Sequence, residues 1–438
     1  MAMSKSKVFL LASLIFLGFD FFRPDFFVKP KNQGFLFDKF YTFHGQIVGT
    51  DKKLDGWNII IVPSDLSDFS GKILIYAPLY PEYDYGDILE IRCRLNQPGP
   101  LADETGKIFA YDKYLAKDDI WALCFRPQIE QIGQNKNISY YLSQVRDYFW
   151  NNLDIYLVEP ASSLAKATLL GAQREFSSEI RAIFSQVGLS HIIAISGSHM
   201  VIIVWLIQSL LFSFGLRRQS VFIFLLITLI FYLALINWLP SALRSCLMVM
   251  ITLLGPFLGR ANLSVYSLVL VADVLVAFNP YLLRYDLGFQ LSFLSVLGLI
   301  FYSRYLEKIL SVLPELFKIR EVLATTLAAQ FFIWPLINYH FGILSLISPL
   351  ANFLILPLAT LILIFSFILA IFGFWSVLAQ LAAWPLYILF KIMVEIGRVL
   401  SHFPGAYLNI GGFSGWYLIS SYIFLILFTF ILKPQQHE

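Results

Sequence analysis

Nine apolar runs occupy the chain from His191 onward, and they constrain its fold more than any other feature. They cover 191–214, 219–239, 242–258, 263–279, 287–303, 321–339, 342–372, 375–396 and 413–432. A helix needs about 20 residues to cross bilayer hydrocarbon. Each run is near or above that length, with 242–258 and 263–279 the shortest. The run 342–372 is too long for one simple span, and Pro349 and Pro357 interrupt it. It is expected to be re-entrant or discontinuous, as where backbone lines a cavity. Composition agrees: 14% of residues are charged, against about a quarter in soluble domains. The fold expected is mainly α, a polytopic membrane helix bundle.

The N-terminal third is patterned differently. Lys5 and Lys7 precede the apolar run Val8–Phe22, and no small-residue cleavage site follows. That reads as an anchoring helix with its N-terminus in the cytoplasm. Short β-rich runs follow at Trp57–Val62, Lys72–Ala77, Ile88–Leu95 and Ile120–Phe125. Gly/Pro/Asp clusters such as Asp55-Gly56 and Gly86-Asp87 separate them. About five strands in so short a stretch fit a small β-barrel, with an OB-type barrel one candidate. Ile138, Leu142, Val145, Phe149, Leu153 and Tyr156 then recur at helical spacing. Trp150 and the neighbouring tyrosines suit a membrane interface. A second helix is expected from a cap at Ser177 or Ser178 to Gly188. The expected organisation is a membrane anchor (1–34), an OB-like β domain (35–133), amphipathic interfacial helices (134–190) and a transmembrane domain (191–432).

Charge divides at the same places. Residues 35–133 hold ten Lys/Arg against fifteen Asp/Glu, a net of −5. Residues 134–438 hold seventeen against twelve, a net of +5. Arg217, Arg218, Arg260 and the Arg304–Arg320 cluster fall on one side of the spans, the cytoplasmic side, which leaves the β domain outside. Lys391 and Arg398 fall on the opposite side if 342–372 crosses once. No C-x-x-C pair occurs, so thiolate zinc binding is not expected. Cys93 and Cys124 both lie in the β domain. They form a disulfide if that domain faces an oxidising compartment, and two half-buried thiols otherwise. Cys246 sits in an apolar run and is expected to pack.

The most unusual stretch is Gly188-Leu-Ser-His-Ile-Ile-Ala-Ile-Ser-Gly-Ser-His199. It places two histidines, three serines and two glycines at the start of a span. Polar groups in hydrocarbon are costly unless they pair or line a wet cavity, and Gly197 permits an irregular backbone. One reading is a pore-lining or substrate-contacting turn, and the other is a satisfied cluster at a helix start. Ala194-Ile195-Ser196-Gly197 approaches the G-x-S-G pattern of serine hydrolases, but Ala194 replaces its first glycine. His191 and His199 are eight apart, about 80° round a helix, which is not the i,i+4 pair of zinc helices. Neither catalysis nor a metal site is expected. Other polar residues interrupt the runs. Arg244 follows Pro240-Ser241-Ala242-Leu243 just inside a span; Arg284, Asp286, Gln290 and Ser292 precede or enter another; Asn338 and His340 end one; Asn352 lies between two prolines. Arg244 could pair with Asp273 or Asp286, or attract a phosphate backbone.

These residues carry a family resemblance. Gly188 to His199 resembles the G-L-x-H-L-L-A-I-S-G-x-H signature of the ComEC competence proteins. Later landmarks resemble that family in the same order. They are Pro240-Ser241-Ala242-Leu243-Arg244 with Met248 and Gly259-Arg260, then Asn279-Pro280 with Gly288-Phe289-Gln290-Leu291-Ser292-Phe293, then Phe341-Gly342 with Ser348-Pro349-Leu350-Ala351-Asn352 and Pro357. Lys107–Phe125, with Asp112-Lys113-Tyr114-Leu115, resembles the end of the family's OB-like domain. Ser198 and Ser245 depart from the usual apolar residue and Ala.

The resemblance implies an inner-membrane, multi-pass channel passing single-stranded DNA into the cytoplasm during natural transformation. Its contact candidates are His191, Ser196, Gly197, His199, Arg244, Gln290, Ser292 and Asn352. Many family members carry a metallo-β-lactamase-like domain with an H-x-H-x-D-H motif, and no such cluster occurs in this sequence. The expectation is therefore a form without hydrolase activity or cofactor. Implied partners are single-stranded DNA, membrane lipids, a DNA receptor, a cytoplasmic DNA translocase, a separate hydrolase and further copies of the chain. A transporter of another substrate, or a non-transporting scaffold, is the alternative on the same fold.

Overall fold

The computed structural model describes residues 5–24, 32, 34–53, 56–102, 108–172, 177–193, 195–255, 264–314, 318–411 and 414–432. They form two compact units, one from 1–146 with 269–290 and the other from 147–268 with 291–438. Asp55, Lys107, Ala194, Gly259 and Arg260, all used above, lie outside the described residues.

Period-two patterning builds the β domain. Its strands are β1 (Lys39–Lys53), β2 (Gly56–Pro63), β3 (Lys72–Ala77), β4 (Asp87–Asn96), β5 (Ile120–Phe125) and β6 (Gln128–Gln134). Five close on themselves in the order β1-β2-β3-β5-β4, because β1 also pairs with β4, and β6 adds to the outside of β4. The length of β1 allows this. Its residues 39–46 lie antiparallel to β4 and its residues 45–53 antiparallel to β2. Strands β3 and β5 are parallel. Alternate side chains point inward, so Phe43, Ile47, Ile59, Ile61, Ile73, Ile75, Leu89, Ile91, Leu95 and Ala122 fill the barrel. The expected OB-like β-barrel is present. Cys93 and Cys124 sit in this core joined as a disulfide, their Cα atoms 6.1 Å apart.

The helices begin with α1 (Lys5–Phe22), α2 (Tyr111–Ala116), α3 (Ile138–Tyr156), α4 (Ala161–Leu170), α5 (Ser178–Gln186) and α6 (Ser190–Ile193). Next come α7 (Gly197–Ser213), α8 (Arg218–Leu235), α9 (Pro240–Leu254), α10 (Ser264–Phe278) and α11 (Tyr281–Tyr285). The last are α12 (Leu287–Ile309), α13 (Ile319–Phe341), α14 (Ser348–Phe372), α15 (Ser376–Ser401) and α16 (Gly415–Leu432). Among the described residues, five segments are long and apolar enough to cross a membrane: Arg218–Leu235, Leu287–Val312, Ile319–Phe341, Ser348–Phe372 and Ser376–Ser401. Shorter apolar helices accompany them, among them α7, α9 and most of α16. The chain is a helical membrane protein.

Two expected spans are drawn differently. The run 342–372 is not a broken helix: α14 is continuous, with Pro349 in its first turn and Pro357 inside it. Proline is tolerated in a first turn because that N–H has no intrahelical partner. Residues Ile343–Ser345 form instead a short ladder with Tyr407–Asn409. The run 191–214 is split, α6 ending at Ile193 and α7 starting at Gly197.

Helix α3 shows how polar groups are used inside the second unit. Asn152 Nδ2 donates to the Ala370 carbonyl at 2.9 Å, Tyr148 Oη to Ile371 at 3.3 Å and Tyr156 Oη to Gly373 at 3.1 Å. The last four carbonyls of a helix lack intrahelical donors, and α3 supplies them for α14. The amphipathic helix expected at an interface thus packs against protein here. Trp150 likewise lies against the core, with Lys166 Nζ 4.6 Å from its ring centre. Tyr232 Oη treats the end of α4 in the same way, donating to Leu169 at 2.7 Å.

In the first unit the barrel is fastened to the segment before α12. Lys117 Nζ reaches Asp286 Oδ2 at 3.4 Å, both side chains being 9% exposed. Asp286 Oδ1 accepts the Phe289 N–H at 3.0 Å and so caps α12. Asn279 Nδ2 donates to the Lys117 carbonyl at 2.6 Å. Burial alone would lower the Lys117 pKa, but Asp286, Asp118 and Tyr114 outweigh it and hold the ammonium above the ordinary lysine value. The folded pKa is the higher one, so the stabilisation is present at neutral pH and lost only as pH rises through it. Asp286→Asn leaves a buried, underpaired ammonium and is expected to cost about 3 kcal/mol. A thermal melt of the detergent-solubilised chain checks this, and an unchanged midpoint would show the pair to be dispensable.

Candidate functional site

The Gly188–His199 stretch folds as a turn, a short helix and a break, all within the second unit. Gly188 ends α5 in the left-handed region, at φ +74°. A side chain there would lie 2.7 Å from Ser348 Cβ and Oγ and 3.1 Å from Ser345 Cβ. The turn therefore rests directly on the head of α14. Ser177 opens α5 as expected, accepting the Ile180 N–H at 3.3 Å.

At the other end of the stretch, Ser196 begins α7. His199 Nδ1 accepts the Ser196 backbone N–H at 3.2 Å, and Ser196 Oγ lies 3.0 Å from the same nitrogen. Ser198 Oγ is 2.8 Å from Ser196 Oγ. This is a capping-box arrangement, with histidine at the place usually taken by Glu or Gln. It accounts for the Ser–His contact without a catalytic base. His199 is buried, whereas His191 and Ser198 are exposed. Gly197 faces α9, where Ser245 Oγ lies 3.5 Å from the position of an added Cβ. Ser245 is held by the Ser241 carbonyl at 2.9 Å.

The stretch thus spans from the head of α14 to the head of α9, and α9 carries Arg244 at only 5% exposure. Ser348 and Asn352 lie four apart on α14, one above the other, both buried. Asn352 Oδ1 has no hydrogen-bond partner among the described residues. His191, Ser196, Gly197, His199, Arg244 and Asn352 therefore all lie on elements that this one stretch touches or belongs to. Gln290 belongs to the other unit, where its Nε2 donates to the Leu283 and Arg284 carbonyls at 2.9 and 3.1 Å and closes the end of α11. Asp286, considered above as a partner for Arg244, gives its oxygens to Lys117 and to the α12 cap. Ser292 enters α12, where its carbonyl accepts from Ser295 Oγ at 2.8 Å. Among the described residues no group of three His, Cys, Asp or Glu is placed to hold a metal. Ser345 and Lys117 carry no signal of their own in the sequence. The S-P-L-A-N landmark includes Ser348, but nothing in the sequence pairs it with Gly188.

Residues 168–435 match the family model described as competence protein. The chain belongs to the competence protein family. A relative, ComE operon protein 3 of Bacillus subtilis (strain 168), is 28% identical over 275 residues. That alignment covers 60% of this chain and 34% of the relative. The chain thus spans about a third of the length of the curated relative it matches. No solved structure matches the chain. The competence model takes in α5 to α16 and with them the turn, Arg244 and Asn352, while the barrel precedes it.

Proposed function

We propose that this competence protein is the body of a membrane channel that takes up DNA, passing a single strand into the cytoplasm during natural transformation. Family membership supports a role in uptake. The observation that carries the channel reading is the break between α6 and α7. There, His199 and the Ser196 and Ser198 hydroxyls open α7 among helices that are otherwise apolar, and Gly197 faces Ser245, the neighbour of buried Arg244 on α9. Such groups in a membrane domain mark a substrate path more often than packing. Arg244 supplies a fixed positive charge for phosphate. The histidines, serines and Asn352 supply neutral donors that bind a sliding strand weakly enough to release it.

In this reading the chain sits in the inner membrane with the barrel outside and Cys93–Cys124 oxidised. With a net of −5 over 35–133, the barrel meets the strand through local side chains rather than overall charge. A receptor, a cytoplasmic translocase and a separate hydrolase complete the pathway.

Labelled DNA taken up by a deletion strain, complemented with variants, tests the proposal. Arg244→Ala, at unchanged membrane level, is expected to reduce internalised label about tenfold or more, the loss of one charge-assisted contact. His191→Ala/His199→Ala is expected to reduce it less. Full uptake in the uncomplemented deletion would reject DNA as cargo and leave a transporter of another substrate.

A further inference from the structure

The face that OB-type barrels ordinarily offer to oligonucleotides, on their second and third strands, is closed in this chain. Helix α2 covers it. Leu115 of α2 packs with Leu74 on β3 and with Ile120 and Leu123 at β5, and Ile60 on β2 and Tyr76 on β3 lie partly buried against them. An acidic barrel whose usual face is covered needs another place to meet a strand.

An uncovered row crosses the sheet beside α2. Phe40 on β1 stands opposite Arg94 on β4. On the other side of β4, Leu95 pairs with Cys124, so the same register brings Phe125 of β5 next to Arg94. Phe125 in turn stacks on Tyr76 of β3, ring centroids 4.8 Å apart and planes 4° from parallel. Their strand neighbours Cys93, Leu95, Cys124 and Ile75 fill the core, so these four side chains point outward. Phe40 is 73% exposed and Phe125 51%.

The charges on this row are positive. Arg92, exposed on the same face of β4, lies between Thr42 and Gln128. Arg126, in the short link from β5 to β6, is exposed as well. Arg94 Nη2 is 3.7 Å from Asp38 Oδ1, with both side chains more than half exposed. Such a pair contributes little, so a phosphate can displace it. The acids of this sheet sit further along. Glu90 pairs across strands with Glu130 and lies 3.9 Å from His44 Nε2.

We propose that Phe40, Arg92, Arg94 and Phe125 are the barrel's contact with a single DNA strand. Bases stack on the two exposed rings, and phosphates meet the guanidinium groups between them. Exposed rings favour a single strand over a duplex, whose base faces are already stacked on one another. The inference rests on the reading of DNA as cargo and adds where the barrel holds it.

The test titrates the detergent-solubilised full chain against a fluorescent oligothymidylate at several salt concentrations. Arg92→Ala/Arg94→Ala is expected to weaken binding about tenfold and to lower the salt slope by about one to two. Phe40→Ala is expected to weaken it about fivefold or more with the salt slope unchanged. Lys136→Ala is the control. It removes an exposed cation just past the end of β6 that pairs with the start of β4, away from the row. All these positions are exposed, and an unchanged melting temperature confirms folding. Wild-type affinity in the arginine and Phe40 variants, with DNA still bound and internalised, overturns this assignment alone. Equal weakening by Lys136→Ala does the same, since it would show attraction without a site. Weakening by the arginine variant with none by Phe40→Ala reduces the face to a polyanion surface and overturns the stacked strand. A wild-type chain that neither binds the oligonucleotide nor internalises DNA overturns the cargo reading together with it.

Discussion

Gly188→Ala is expected to remove uptake and to lower thermal stability by about 3 kcal/mol or more. Two independent costs act at this residue. A non-glycine residue at φ +74° is strained by about 1–3 kcal/mol. The new methyl also meets Ser348 Cβ at 2.7 Å, and a Cβ cannot move without its helix. Forcing α14 away costs a further 1–3 kcal/mol or so. The double variant Gly188→Ala/Ser348→Gly separates the two. It removes the two contacts with Ser348, leaves the 3.1 Å approach to Ser345 Cβ and keeps the strain, so it is expected to recover up to about half of the lost melting temperature. No recovery would show that the turn's conformation alone, not its seat on α14, is what matters.

Gly298→Ala is expected to be as severe for a different reason. Its backbone is ordinary helix, so no strain is involved. The added Cβ would lie 2.2 Å from the Ala328 carbonyl oxygen and 3.2 Å from Ala329 Cα. Both are backbone atoms, and no side chain can yield. Ala324 and Ala328, four apart and buried, present the small surface of α13 that permits this approach. Helices in lipid gain no hydrophobic effect from meeting, so such close packing supplies much of their attraction. Separating α12 from α13 would also strain the Tyr302–Thr429 hydroxyl contact at 2.8 Å. A loss of about 3 kcal/mol is expected, extrapolating from smaller overpacking costs. Melting the purified variant beside Leu297→Ala checks it, and the glycine variant must lose the more.

Much of the fold could be read from local patterns. The β-rich composition of Ile88–Leu95 and Ile120–Phe125, bounded by turn residues, predicts strands that are present. Ser177 and Gly188 marked the limits of α5. The run 342–372 reads as broken because a proline in a first turn and a proline inside a membrane helix look alike in sequence. What could not be read is contact across long separations. Nothing local in Asn152 or Tyr156 says that their acceptors lie more than 200 residues later. The same holds for Lys117 and Asp286. At the candidate site, the motif exposed the residue set, but not that its two ends seat on α14 and α9. Gln290, equally polar in sequence, proved to close a turn. The tight glycine at 298 carried no signal at all, since its reason lies on another helix.

The stitching of α3 onto the end of α14 has a consequence for how the chain is made. Asn152 leaves the ribosome 218 residues before its acceptor at Ala370. Until then, three side-chain donors of α3 face lipid or water without their final partners. Early closure of that seam is impossible, whatever the speed of the helices between. The second unit must therefore assemble with a gap on one flank and seal it from its C-terminal half. Chains stalled before residue 373 should leave α3 open to protease, and longer ones should not.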